Sequence, residues 1–148
     1  MKTVNVKIVI LLVFSILELS AQITFAKSIK GCQQKENPDI IFKEMEKGFN
    51  SNNISKIAKF IKDDTFINLK NDISDYFSSS QAYYVLKDFF KTYHIINVKL
   101  DNIKIKNKYS YASGKLIYKK SGVSGNAQVF ISLRKTSTGW IIAQLTVS

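Results

Sequence analysis

The segment Phe77–Phe90 constrains this chain more than any other. Behind Ser78, the residues Ala82, Val85, Leu86, Phe89, Phe90 and Tyr93 recur at i, i+3, i+4, i+7, i+8 and i+11. That spacing lays one wide apolar stripe along a helix. Ser78 and Gln81 stand as in a capping box: the serine oxygen accepts a free first-turn N–H and the glutamine reaches back. A stripe this broad has to be buried, and the chain after Tyr93 supplies the surface. There the apolar period falls from 3.6 to about 2. Val98 and Leu100 are in phase, and Ile103 and Ile105 are in phase but shifted by one, which predicts a bulge or bend at Asp101-Asn102. Tyr109–Lys119 reads as a strand thinned at Gly114, and Ser121–Asn126 as a loop. Ala127, Val129, Ile131 and Leu133 alternate as a strand. Thr136–Gly139 reads as a hairpin turn. Trp140–Val147 closes the chain, with Ile141, Ala143, Leu145 and Val147 on one face.

Upstream, Asp39 beside Pro38 is expected to cap a helix whose Ile41, Met45 and Phe49 share a face, and Asn50–Asn53 to break it. Asn53 caps a second short helix with Ile54, Ile57, Ala58 and Ile61 apolar. Asp63-Asp64 reads as a turn or helix stop. Thr65–Leu69 and Ile73–Phe77 follow as short strands across an Asn71-Asp72 turn. Strands joined by short loops are antiparallel. The order therefore predicts an α+β domain, with helices packed on one face of a bent antiparallel sheet. A long helix in the concave face makes a cone, whose open end is a natural pocket.

The 148 residues fit one domain. Lys2 and Lys7 precede an apolar run, Ile8–Leu17, that is too short to span a bilayer but suits a signal peptide. Cleavage is expected after Ala21, or as late as Ala26. That leaves 1–21 as leader, 22–38 as a polar lead-in and 39–148 as the domain. The product is expected to be exported, periplasmic or secreted, and not integral to the membrane. Cys32 is the single cysteine, so it forms no internal disulfide. Ile29-Lys30-Gly31 before it makes a poor lipobox, and a lipid anchor is not expected. Net charge is +11, carried almost wholly by lysine, with Arg134 the single arginine. Base and phosphate readers lean on arginine's bidentate fork, so nucleic acid is not an expected partner.

Several of these residues together resemble a family. Phe77-Ser78, Gln81-Ala82 and Val85-Leu86-Lys87-Asp88-Phe89-Phe90 carry the likeness, continued by Gly114, Leu116, Ile142, Gln144 and Leu145. The chain resembles the small exported bacterial proteins of the domain of unknown function 4783 family, typical of Bacteroidota. The element order resembles the nuclear-transport-factor-2-like cone. The likeness covers roughly residues 39–148 and departs at Ala127-Gln128, where an aromatic and a basic residue would open the strand. It implies architecture and brings no activity with it.

Few residues could carry chemistry. His94 is the single histidine, just past the main helix, where a cation suits a helix C-terminus. Asp101 is the only acidic residue after Tyr93, and a bulge could re-aim it inward as an acid or base. These two are weak catalytic candidates, each with a solvated surface role as the simpler reading. Asp88 reads as a surface charge paired along the helix. One histidine and one distant cysteine cannot make a zinc site, and no phosphate loop or nucleophile elbow appears, so no metal or cofactor is expected. Tyr76, Tyr83, Phe90, Tyr111, Tyr118 and Trp140 are candidates to line a pocket, with core packing as the plainer alternative. Lys104–Lys108 alternates basic with apolar and could draw anionic glycans or a membrane surface, though a solvated strand face is the default.

Three functions are in play. The first is a non-catalytic module binding a small apolar ligand or a protein partner. The second is a small cofactor-free isomerase or dehydratase built on Asp101 or His94. The third is a homodimeric structural module, with Phe130 and Ile142 on an outer sheet face as its interface.

Overall fold

The computed structural model describes residues 37–148. The leader expected over 1–21, the lead-in up to Glu36 and the thiol of Cys32 lie outside the described residues. The elements run α1 (Pro38–Asn50), α2 (Ile54–Ala58), β1 (Ile61–Leu69), β2 (Ile73–Phe77), α3 (Ser79–Thr92), β3 (His94–Lys104), β4 (Tyr109–Lys120), β5 (Val123–Thr136) and β6 (Gly139–Val147). All six strands join one sheet in the order β2-β1-β6-β5-β4-β3. Every pairing is antiparallel except β1 with β6, which is parallel. Parallel neighbours need a crossover, and here most of the chain forms it. The result is an α+β cone with its helices on one side of the sheet.

The main helix α3 is set as its sequence indicates. Gln81 N donates to Ser78 Oγ (3.4 Å) and Ser78 N to Gln81 Oε1 (3.0 Å), closing the capping box. Ala82, Leu86, Phe89, Phe90 and Tyr93 are buried. An acceptor remote in sequence completes the N-terminus: the Asp63 carboxylate takes Ser79 N–H at 3.1 Å. Asp63-Asp64 is therefore neither a turn nor a helix stop. It lies inside β1, where the register with β6 shifts between Ile61 and Phe66 and Asp64 adopts φ 63°. The buried Thr65 hydroxyl spans that irregularity, bonding Lys62 O (2.8 Å) and Ile142 O (3.0 Å).

Helix α1 is capped two positions earlier than expected. Asn37 is its cap, accepting from Asp39 N at 3.2 Å, and Pro38 fills the first helical position, where its missing N–H is harmless. Asp39 instead pairs with Lys43 one turn on, at 2.7 Å. Asn53 caps α2 as expected, but α2 ends at Ala58, and Ile61 opens β1. Ile41, Phe42, Met45 and Phe49 of α1, Ile57 of α2 and Ala82, Leu86, Phe89 and Phe90 of α3 meet Val98, Leu116, Val129, Ile131, Leu133 and Leu145 from the sheet, all fully buried or nearly so, with Val85 half-buried at the margin.

Two other expectations need correction. Ser121–Asn126 is mostly strand. Ser121 (φ 50°) and Gly122 (φ 83°) alone make the turn, the paired left-handed conformation that matches strand twist in a two-residue hairpin. In β6 the register slips against Ser132/Leu133. The extra residue, Ala143, reverses the alternation. Ile142, Leu145 and Val147 therefore face the core, whereas Ile141 sits with Arg134 on the outer side. The bulge expected in β3 is present at Asp101, between the pairs Leu100–Gly114 and Asn102–Ser113, with a second at Ile96.

Candidate functional site

The helical side of the sheet carries a continuous cluster of buried apolar side chains. Its aromatic residues form a ladder. Phe49 lies 5.4 Å from Phe90, Phe90 6.1 Å from Phe89, Phe89 4.8 Å from Tyr93, and Tyr93 5.1 Å from Tyr118, all between ring centroids. Lys120 closes the ladder: its Nζ sits 4.8 Å from the Tyr93 ring centroid and donates to the Tyr93 hydroxyl at 3.2 Å. Such a cation both binds the ring face and satisfies the phenol. Among the described residues no buried side-chain polar atom lacks a hydrogen-bond partner.

The proposed pocket residues are thus divided. Phe90, at 7% exposure, is core, and Tyr118 and Trp140 pack against the core at its margin. Tyr83 is half-buried on α3, edge-on to Tyr84 at 5.6 Å. Tyr76 and Tyr111 lie on the opposite side of the sheet. They were grouped by residue type, but strand parity decides the face, and parity separates them. His94 and Asp101 are both exposed on β3. Seven residues of strand set them about 20 Å apart, too far to share a proton. The bulge leaves Asp101 turned to solvent rather than into the core. An open depression of about 470 Å³ does exist, lined by Asn68, Leu69, Lys70, Asp72, Ser74, Val147 and Ser148. It lies at the turn end of the β1–β2 hairpin, beside Ser148, and none of the eight candidates lines it.

The outer face of the sheet presents a different surface. Reading the register across the strands gives one row: Tyr76, Phe66, Gln144, Ser132, Tyr111 and, at the β3 edge, Lys104. The adjacent row is Ser74, Asn68, Thr146, Phe130, Ser113 and Asn102. Only Lys104, at the margin, carries charge. Phe66 and Tyr76 pack at 5.1 Å, and Phe130 stacks on Tyr111 at 6.2 Å. Gln144 Nε2 donates to Thr146 Oγ1 at 3.0 Å. Phe66, Phe130 and Tyr111 are only half-buried, and Tyr76 is 66% exposed. Sequence reasoning found Phe130 but missed Phe66, Gln144 and Thr146, and it put Ile142 here, which is buried. The alternation of β1 alone would have shown Phe66 opposite Ile67.

Known proteins place this architecture. No curated protein matches the chain. Among solved structures, a DUF4783 family protein from Bacteroides uniformis superposes with a TM-score of 0.65 at 17% identity, over 72% of this chain and 94% of that one. One from Bacteroides ovatus gives 0.62 at 16%, over 70% and 90%. A ketosteroid isomerase-like protein from Erwinia carotovora atroseptica gives 0.62 at 16%, over 78% and 95%. At such identities the likeness is one of fold. The family described as Domain of unknown function (DUF4783) matches residues 42–148, from the first turns of α1 to the last residue. The chain belongs to that family.

Proposed function

We propose that this domain is a non-catalytic binding module that holds a protein partner on the outer face of its sheet. The observation that carries this reading is the two-row band of aromatic and uncharged polar side chains on a strongly cationic chain. Contiguous half-buried aromatic residues with small hydroxyl and amide neighbours have the makeup of a protein interface core, where charge is depleted and Tyr and Phe are enriched. The aromatic ladder from Phe49 to Tyr93, buried on the helical side, favours a partner on the face over a small ligand in the cone. We infer that the module acts outside the cytoplasm, on the strength of Lys2, Lys7 and the apolar run Ile8–Leu17. The isomerase-like alternative loses support from the separation of His94 and Asp101.

A second copy of the chain is the other occupant that the band favours. Two molecules of charge +11 repel one another, and an uncharged band is where they can approach most closely. A photo-crosslinking residue placed at 130 or 111 in the native host should give adducts, and one at Tyr84 on the exposed side of α3 should not. Adducts of twice the chain mass, with concentration-dependent sedimentation abolished by Phe130→Asp, would identify the partner as a second copy. Equal crosslinking at all three positions, or none at 130 and 111, would remove the proposal.

A further inference from the structure

Cations gather at one end of the sheet. The end of β3 carries Lys104, the connection to β4 carries Lys106 and Lys108, and the neighbouring end of β5 carries Arg134 and Lys135. The register joins them: Tyr109 pairs with Arg134, and Lys135 N donates to Lys108 O at 3.0 Å. All five cationic residues are exposed. The ion pairs found among the described residues involve Lys43, Lys47 and Lys59 only, so no carboxylate there neutralises this end. Asp101 is the one acidic residue after Tyr93.

The same end exposes apolar surface at its tip. Ile105 is 51% exposed between Lys104 and Lys106, and Tyr109 is 48% exposed with the Lys108 ammonium 5.5 Å from its ring centroid. The tip is held rigidly: Lys106 N donates to Ser110 Oγ (3.1 Å), and that hydroxyl donates back to Lys106 O (3.2 Å). The apolar residues are therefore presented, not folded back into the core.

We propose that this end of the sheet docks on a bilayer surface carrying anionic phospholipid headgroups, with Ile105 and Tyr109 entering the headgroup layer and the five cations lying along it. The reading is independent of the outer-face proposal and shares with it only Lys104, at the margin of that band. Clustered lysines give non-specific attraction to an anionic leaflet. An aliphatic tip and a tyrosine add the apolar burial that holds a peripheral protein at an interface. Four of the five cations are lysine, strongly hydrated point charges without the fork that grips phosphate or base edges. That composition suits a diffuse field of headgroups better than a nucleic acid.

The test is flotation of the full chain with vesicles of phosphatidylcholine alone and of phosphatidylcholine with phosphatidylglycerol. The quantity read is the gain in binding due to phosphatidylglycerol; the N-terminal lysines contribute to that gain equally in every variant, so the differences between variants report the sheet end. Reversing Lys104, Lys106 and Lys108 to Glu should cut that gain about tenfold or more. Reversing Lys62, Lys87 and Lys91 to Glu, an equal charge change elsewhere, should leave most of it. Ile105→Ser, which keeps every charge, should weaken it severalfold, and raising the salt should weaken it further. Equal losses in the two triple variants would mean that net charge alone attracts the chain, and the proposal would fall. An unaltered Ile105→Ser would reassign the patch to soluble polyanions and would overturn it too. Unchanged thermal melts of the three variants establish that losses are not unfolding.

Discussion

Gly114 lies in the middle of β4, opposite Leu100 at the β3 bulge. A methyl group there would sit 1.9 Å from the Lys99 carbonyl oxygen and 2.9 Å from Leu100 Cα. An ordinary contact is about 3.5 Å, so β3 and β4 would have to part by roughly 1.5 Å. Hydrogen bonds near 2.9 Å do not survive that stretch. About two ladder bonds would be lost, at about 1 kcal/mol each, and overpacking adds about 1–3 kcal/mol. Gly114→Ala should therefore cost about 3–5 kcal/mol, a large share of the about 5–15 kcal/mol that holds a domain folded. Urea unfolding followed by the fluorescence of Trp140, the single tryptophan, should show a midpoint lower by about 2 M. Gly125→Ala is the control. Its methyl would meet Tyr118 Cζ at 2.6 Å and the hydroxyl at 2.7 Å, the far end of a side chain that can swing, and should cost less than about 1.5 kcal/mol. If Gly114→Ala unfolds within 0.3 M of the wild type, or the two substitutions cost the same, the argument from backbone approach is wrong.

Phe89→Ala removes a fully buried ring from the middle of the aromatic ladder and should cost about 3–5 kcal/mol in chemical denaturation; a loss under about 1 kcal/mol would mean the helix stripe is not packed. Ser78→Ala should cost about 0.5–2 kcal/mol by removing the cap of α3. Asp63→Asn keeps an acceptor near Ser79 N and should cost only about 0.3–1 kcal/mol, a difference that high salt erases. The hydrogen bond from Lys47, with its charge and those of Lys59 and Lys56, holds the Glu44 carboxyl below its ordinary value. A lowered folded-state pKa contributes stability above the unfolded value and loses it as pH falls through the folded one. An NMR titration should find the Glu44 midpoint below that of a free glutamate and shifted upward in Lys47→Met; an unmoved midpoint would contradict the pairing.

Local chemistry was the part of this fold legible in the sequence. The α3 stripe, its Ser78–Gln81 box, the Asn53 cap and the bulge at Asp101 all depend on residues within a few positions of one another. What escaped depends on contacts made elsewhere. Asp63 looks like punctuation until α3 brings Ser79 N–H to it. One inserted residue at Ala143 reversed the faces of β6 and took Ile142 out of the proposed interface. The candidate site suffered most, because aromatic identity does not encode side. Tyr111 and Tyr118 share a strand and differ by seven positions, an odd number, so they face opposite ways. The parallel contact of β1 with β6 has no local signature, yet it sets Phe66 beside Gln144 and so carries the outer band across to Tyr76.

The turn after α1 holds one further consequence. Asn52 exchanges two hydrogen bonds with the backbone of Ile95 (3.0 and 3.2 Å), Asn50 does the same with Val98, and Glu46 accepts from Leu100 N at 2.9 Å. Side chains thus occupy the places that a seventh strand would take along Ile95–Leu100. A sheet normally has two open ends, and each can recruit another strand. This one is capped along Ile95–Leu100 on the β3 side, whereas among the described residues β2 carries no such cap. Two copies joined β2 to β2 would present a β3 capped along Ile95–Leu100 at either extremity, which disfavours edge-to-edge growth beyond a pair. Substituting Asn50 and Asn52 together would uncap the far end and turn a self-limiting unit into one able to polymerise.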